Sequence, residues 1–134
     1  MPLLANDTDG AITRKRLESY VAAQEGVTEL AVADEDATLT AAQLLDSKLF
    51  TATPTAARTF TTATAALIVA ALTDEVAGTS SEFTVVNKAA ATHAITVAGG
   101  TSVTVVGSAT VAAASSGTFL AVVQSDNSVK LYRK

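Results

Sequence analysis

The sequence contains no cysteine and no tryptophan, and it has a single histidine. Without cysteine, the chain has no disulfide framework, no thiolate zinc site and no cysteine nucleophile. Only four phenylalanines and two tyrosines occur in the 134 residues. A catalytic centre would have few of the usual groups to draw on. We therefore expect a protein that is not an enzyme, with no catalytic residue, no cofactor and no bound metal.

The charge of the chain argues against nucleic acid as a partner, and its hydropathy argues against a membrane. The formal net charge is -4 and the isoelectric point is about 4.8, whereas binding to phosphates depends on clustered Lys and Arg. The longest apolar run, residues 65–72, is far shorter than the roughly 20 residues that span a bilayer. Acidic and amide residues follow Arg14-Lys15-Arg16, so we do not interpret this tripeptide as the start of a secretory signal.

Small and β-branched residues dominate what is present, with 28 Ala, 21 Thr and 15 Val. Charge is unevenly distributed, because residues 1–48 hold nine acids whereas residues 89–125 hold no Asp, Glu, Lys or Arg. We therefore divide the chain into an amino-terminal arm, residues 1–36, and a β-rich domain, residues 37–134. In the uncharged segment the outward positions are Thr, Ser and Ala. Either other subunits or a partner cover that face, or it is a threonine-rich surface that tolerates water without charge.

Helical patterns are few and short. Ile12, Leu17, Tyr20 and Val21 are compatible with a short amphipathic helix over residues 11–24, although the same stretch is also compatible with an extended arm. Further along the chain, Thr40 is a possible N-cap for one helical turn over residues 41–47. The Ala-rich run from residue 63 to 72 is the best helix candidate in the β-rich domain, with Thr62 or Thr64 as its cap.

Alternation with a period of two predicts strands over much of the β-rich domain. Residues 48–53 and 58–61 are short candidates, and from Glu82 onward apolar and polar residues alternate between turn signals. We predict a hairpin at Gly99-Gly100, a meander through residue 111, a turn at Ser115-Ser116-Gly117 and a terminal strand near Val129. Residues 95–97 resemble residues 103–105. We interpret this similarity as two like strands of one hairpin, and we do not infer a solenoid from it. The expected fold is mainly β, an antiparallel β-sandwich or barrel-like domain with one or two short helices and an extended or partly helical arm.

Four features resemble functional motifs, and each has a simpler structural interpretation. His93 is the only histidine, so it would bind a metal only if a symmetric trimer brought three copies together. The acidic run Asp34-Glu35-Asp36 lacks the glycine of a calcium loop and is interpreted as a solvated loop. The basic run Arg14-Lys15-Arg16 is interpreted as surface or protein contact. The pair Gly99-Gly100 lacks the lysine of a phosphate loop.

The order of segments from about residue 37 to the carboxyl terminus resembles a family of small virion proteins of tailed bacteriophages. The segments that carry the resemblance are Thr38-Leu39-Thr40-Ala41-Ala42-Gln43-Leu44-Leu45, Phe50-Thr51-Ala52-Thr53-Pro54, Phe60, Glu82-Phe83-Thr84-Val85-Val86-Asn87, Ile95-Thr96-Val97-Ala98-Gly99-Gly100 and Val129-Lys130-Leu131-Tyr132-Arg133. The resemblance covers the β-rich domain and leaves out residues 1–36.

The resemblance implies a structural role in the virion. Members of this family are β-rich proteins that decorate or cement the capsid, or form short appendages, commonly as trimers. We therefore expect a capsid decoration protein on the capsid surface, a homotrimer that binds the major capsid protein at capsomer junctions. An alternative is a receptor- or glycan-binding module of a head or tail fibre, for which the available aromatic residues are Phe50, Phe60, Phe83, Phe119, Tyr20 and Tyr132.

Overall fold

The structure, a computed structural model, describes residues 27–72 and 78–134, and the fold is mainly β, as the sequence predicts. The strands are β1 (Thr28–Ala31), β2 (Ala37–Leu39), β3 (Lys48–Ala52), β4 (Arg58–Thr62), β5 (Ser80–Asn87), β6 (Ile95–Ala98), β7 (Val103–Val106), β8 (Thr110–Val111), β9 (Ser115–Val123) and β10 (Val129–Arg133). A π-helical turn covers Gln43–Ser47, and helix α1 covers Ala65–Ala71. The predicted helix over residues 11–24 lies outside the described residues.

The strands form two sheets in which parallel and antiparallel pairs are mixed. The larger sheet has the order β1-β3-β5-β9-β10-β7, and the smaller sheet has the order β2-β4-β6-β8. The expected antiparallel arrangement holds only for the pairs β9–β10, β5–β9 and β6–β8. The other five pairs, β1–β3, β3–β5, β2–β4, β4–β6 and β7–β10, are parallel. The prediction of an antiparallel fold is therefore wrong for five of the eight strand pairs.

The parallel pairs arise because the chain winds as a coil through its first six strands. Successive strands alternate between the sheets, so that β1, β3 and β5 lie side by side in one and β2, β4 and β6 in the other. The first coil runs from residue 28, where β1 begins, to residue 48, where β3 begins. The second coil is longer and continues to residue 80, where β5 begins. Because helix α1 lengthens the second coil, no constant period appears in the sequence.

Crossing between sheets also replaces the predicted hairpins. Strand β6 belongs to the smaller sheet and β7 to the larger one, so Gly99-Gly100 connects the two sheets and is not a tight hairpin turn. Strand β8 returns to the smaller sheet, which removes the predicted meander. The predicted turn at Ser115-Ser116-Gly117 is wrong as well, since these residues begin β9, a strand that pairs with β5 over eight positions. Continuous pairing along a neighbouring strand outweighs the local preference of Ser and Gly for turns.

The predicted helix caps and the predicted terminal strand are confirmed. Thr64 caps helix α1, because its side chain accepts a hydrogen bond from the backbone N–H of Leu67 at 3.3 Å. Thr40 accepts from the backbone N–H of Gln43 at 3.2 Å, while the Gln43 side chain accepts from that of Thr40 at 3.0 Å. This reciprocal pair is a capping box. The terminal strand is present as β10, with Val129 and Leu131 buried.

One apolar core contains residues from both sheets. Phe50, Phe83 and Phe119 come from the larger sheet, with ring centroids 5.9 Å apart for Phe50–Phe83 and 5.4 Å apart for Phe83–Phe119. Phe60 and Ile95 enter the same core from the smaller sheet and are fully buried. Residues 28–31, which the sequence boundary leaves in the arm, form an edge strand of the larger sheet. The described β structure therefore begins before residue 37.

Candidate assembly surface

His93 lies in the loop between β5 and β6 and is half-buried. Its backbone carbonyl accepts a hydrogen bond from the side-chain amide of Asn87 at 2.7 Å. In residues 27–72 and 78–134, no group of three or more His, Asp or Glu side chains is placed to hold a metal ion. The backbone of His93 helps to position Asn87 through this hydrogen bond.

The acidic run is exposed, as the sequence predicts, but Asp34 and Asp36 also bind their own chain. Asp34 accepts hydrogen bonds from the backbone N–H of Thr55 at 3.1 Å and from Nε of Arg58 at 2.9 Å, and it also accepts from the Thr55 hydroxyl. Asp36 accepts from the backbone N–H of Thr59 at 2.9 Å. These contacts join the loop between β1 and β2, which is the corner of the first coil, to the loop between β3 and β4 and the start of β4, which form the corner of the second. Sequence reasoning missed this role because the partners are distant in the sequence and belong to the next coil.

The same contacts change the acidity of Asp34. Hydrogen bonds from Thr55 and Arg58 stabilise the carboxylate and lower its pKa from 3.8 to about 2. The Arg58 guanidinium also forms an ion pair with this carboxylate across a distance of 2.9 Å. Asp34 is therefore a structural anion that holds two coils together.

The glycine pair serves packing between the sheets. A Cβ atom at Gly99 would lie 2.1 Å from the carbonyl oxygen of Val103, and one at Gly100 would lie 2.6 Å from that of Thr62. The backbone N–H of Gly100 also donates to the Thr62 hydroxyl at 3.0 Å. Close backbone approach explains both glycines. The third motif, Arg14-Lys15-Arg16, lies outside the described residues.

The outer face of the smaller sheet is a threonine surface. Backbone register places Thr59, Thr96 and Thr110 side by side on β4, β6 and β8. A second row aligns Thr38, Thr61 and Ala98. The burial pattern alternates as the sequence predicts, since Phe60, Ile95, Val97 and Val111 point into the core between these positions. This face carries hydroxyl and methyl groups in place of charge.

The outer face of the larger sheet is more apolar than the sequence predicts. Tyr132 pairs with Val106 on one side and with Leu120 on the other, and Leu120 pairs in turn with Glu82. Val106 is 40% exposed and Tyr132 is 36% exposed. We call Val106, Tyr132 and Leu120 the apolar row. Alternation alone does not reveal it, because Val106 and Leu120 each follow other apolar residues in the sequence.

Charged residues on the described part of this face flank the apolar row. Glu82 at one end of the apolar row forms an ion pair with Lys134, and Lys130 is exposed on β10 beside Thr104. A groove of about 450 Å³ adjoins the row, with Glu82, Lys48, Leu120 and Val27 in its lining. An apolar centre with a charged border is the composition of a protein–protein contact surface.

Aromatic side chains offer little to a carbohydrate. All four phenylalanines are buried in the core. Of the described aromatic residues, Tyr132 is the one with a ring at the surface, and Tyr20 lies outside the described part of the chain. Sugar binding that depends on stacking against several aromatic rings therefore has no support in the described surface.

Comparisons with known proteins found no match among protein-family models, curated proteins or solved structures. No helix in the described part of the chain is long and apolar enough to cross a membrane. The surface features, together with the resemblance in sequence layout, are the observations that bear on function.

Proposed function

We propose that this chain is a non-enzymatic virion protein that decorates a phage capsid. In this proposal it is a homotrimer on the capsid surface, bound to the major capsid protein at capsomer junctions, without nucleic acid or membrane partners. The observation that carries the proposal is the apolar row Val106, Tyr132 and Leu120 on the outer face of the larger sheet. A protein that decorates a shell needs exposed apolar surface of this kind on a rigid scaffold.

The two sheets fit this role as a β-sandwich, which we include in the proposal. Both contribute to one buried core, and the outer face of the smaller sheet presents threonines in rows across its strands. A charge-poor surface loses little hydration when another protein covers it. Contacts from three copies would also act together, since binding of the first raises the effective concentration of the others at their sites.

The test compares assembly and capsid binding of surface variants. Val106→Glu and Tyr132→Glu together place two carboxylates on the apolar row, while Thr110→Glu changes the exposed face of the other sheet and is the matched control. The wild-type chain is expected to be a trimer by light scattering after size exclusion and to sediment with expanded capsids of its phage. The double variant is expected to retain its circular dichroism but lose capsid binding by at least about tenfold, which corresponds to roughly 1.4 kcal/mol.

The Thr110→Glu control separates the effect of added charge from the loss of the apolar row. Thr110→Glu is expected to bind capsids as the wild type does. A wild-type chain that is monomeric and does not sediment with capsids would contradict the proposal. Equal loss in both variants would assign the effect to charge in general and not to the apolar row.

A further inference from the structure

The first coil of the winding leaves two strand edges open. In the part of the chain that the structure describes, β1 pairs with β3 alone and β2 pairs with β4 alone. Both are edge strands, and they belong to the same coil. Open edges carry unpaired backbone groups that attract other strands, and the ends of coiled β structures need a cover. This end of the molecule therefore offers a binding surface.

An apolar opening lies between these two strands. A cavity of about 200 Å³ is lined by Leu30, Val32, Ala37 and Leu39, with Gln43 at its border. Leu39 is buried, whereas Leu30, Val32 and Ala37 pack against the core and remain partly exposed. We call this cavity and the edges of β1 and β2 the open end. Its lining is suited to apolar side chains.

The first coil, which forms the open end, carries more acidic than basic residues. Residues 27–47 contain five acids, Glu29, Asp34, Glu35, Asp36 and Asp46, and no Lys or Arg. All five are exposed, and Asp34 is ion-paired with Arg58. A basic segment that also carries apolar residues would match both the charge and the cavity.

Within the amino-terminal segment of the same chain, residues 11–24 have this composition, with three basic residues and the single acid Glu18. They include Arg14-Lys15-Arg16 and the apolar residues Ile12, Leu17, Tyr20 and Val21. The amino-terminal segment ends next to Val27, which is 57% exposed and only three residues before Leu30 of the cavity, or roughly 10 Å along an extended chain. The segment before Val27, residues 1–26, is longer than the first coil, residues 28–47. Its length is therefore sufficient to cross the open end.

We infer that residues 11–24 bind across the open end of their own chain. Their apolar side chains cover Leu30, Ala37 and Leu39, and Arg14-Lys15-Arg16 lie against the acidic corner formed by residues 34–36. A tether this short gives the segment a millimolar effective concentration at the open end, which exceeds that of a second copy at ordinary protein concentrations. This inference does not depend on the proposed capsid role.

Paramagnetic broadening in the full chain tests the inference directly. Because the chain has no cysteine, Ser19→Cys creates a single attachment point for a nitroxide label. The amide signals of Leu30, Ala37 and Leu39 are expected to lose most of their intensity, and those of Thr104 and Lys130 on the far side of the larger sheet are expected to keep theirs. Reduction of the nitroxide restores the signals and provides the reference intensity.

Other occupants give different patterns. Equal broadening in a mixture of isotope-labelled chains with separate spin-labelled chains would show binding to a second copy and overturn the inference. Broadening at Ser81, Thr84 and Leu120 would place the segment in the groove of the larger sheet and overturn it too. An absence of broadening at all these positions would have the same consequence.

Charge reversal tests the electrostatic part. Changing Arg14, Lys15 and Arg16 together to Glu is expected to restore most of the lost intensity at Leu30 and Ala37, as is raising the salt concentration in the unreversed chain. Reversal of Lys88 and Lys130 to Glu is the control and is expected to leave the broadening unchanged. Broadening that is insensitive to both the triple reversal and salt would overturn the role assigned to the basic tripeptide.

Discussion

The guanidinium of Arg133 lies over the ring of Phe119, with Cζ 5.3 Å from the ring centroid. The two residues are also a registered pair between β9 and β10. Nη1 of Arg133 donates to the carbonyl oxygens of Ser108 at 3.1 Å and Thr110 at 2.8 Å. One side chain therefore covers the end of the core and connects the larger sheet to the strand β8 of the smaller one.

Gly117 makes room for this side chain, so Gly117→Ala is expected to displace it. The added Cβ would lie 2.7 Å from Cζ of Arg133. Loss of the cation–π contact and of the hydrogen bonds should reduce the free energy of unfolding by about 1–2 kcal/mol. In an Arg133→Ala background the same change should cost much less, because the obstruction is gone. Urea denaturation of the two single variants and the double variant measures this coupling, and additive costs would contradict it.

Asn87 is expected to be among the most sensitive polar positions. It is 1% exposed, its amide donates to the carbonyls of His93 at 2.7 Å and Val111 at 3.0 Å, and its Oδ1 accepts from the N–H of Ala89 at 3.0 Å. Asn87→Ala should cost about 2–4 kcal/mol because buried backbone groups lose their partners. Asn87→Asp should cost more, since it replaces the donor with an oxygen.

Chemical denaturation measures the cost of the Asn87 variants. Thr110→Ala, an exposed change on β8, is the control and should stay within about 0.5 kcal/mol of the wild type. An Asn87→Ala chain as stable as this control would contradict the role assigned to the amide.

Asp34 is expected to make the free energy of unfolding depend on pH between 3.8 and about 2. Its pKa is lowered to about 2 in the folded chain from 3.8, so the unfolded chain binds the proton more readily. The stabilisation is therefore complete above pH 3.8 and is lost as the pH falls toward 2. Asp34→Asn should flatten the dependence of the melting temperature on pH in this range.

Some acid sensitivity should remain in Asp34→Asn, because hydrogen bonds from Ser128 lower the pKa of Asp126 in the same direction. Glu35→Gln changes the neighbouring carboxylate, leaves the contacts of Asp34 in place and is the matched control. Carbon-detected titration of the Asp34 carboxyl should give a midpoint near 2. A midpoint near 3.8 would contradict the hydrogen-bonded arrangement.

The crossing between the sheets should not tolerate a side chain at Gly99 or Gly100. In each case the new Cβ would meet backbone oxygen, at 2.1 Å from Val103 and 2.6 Å from Thr62, and backbone of packed strands cannot move aside cheaply. Each change to Ala should cost at least about 3 kcal/mol or prevent recovery of folded protein. Gly78→Ala is the control, since its φ of +95° is strained for alanine but nothing lies within 4 Å of the new Cβ. It should cost about 1 kcal/mol. Thermal melts compare the three, and equal costs would contradict the crowding argument.

Several features of the fold were predictable because their causes are local. Thr64 caps helix α1 through an atom three residues away, and the alternation of Val129, Lys130 and Leu131 specifies which side of β10 is buried. The apolar row was not predictable. Val106 follows Val105, and Leu120 follows Phe119, so only the register of β7, β9 and β10 shows which member of each pair is outside.

The acidic run Asp34-Glu35-Asp36 shows that contacts between distant parts of the sequence could not be predicted at a candidate site either. Composition assigned Asp34 and Asp36 to a solvated loop, in which they are exposed, but it did not show their hydrogen-bond partners. Their partners Thr55, Arg58 and Thr59 are 21 to 24 residues away. These partners reach the carboxylates only because successive coils stack at the corner.

The alternation of apolar and polar residues was sufficient by itself to predict a mainly β chain. Strand positions, helix caps and the buried alternation follow from side chains close together in the sequence. The local sequence did not determine whether the strands pair as hairpins or as a coil. Backbone hydrogen-bonding groups are the same in every strand, so they do not specify which strand pairs with which. Tertiary structure decided that choice at Gly99-Gly100, where close contact with Thr62 and Val103 directs the chain from one sheet to the other.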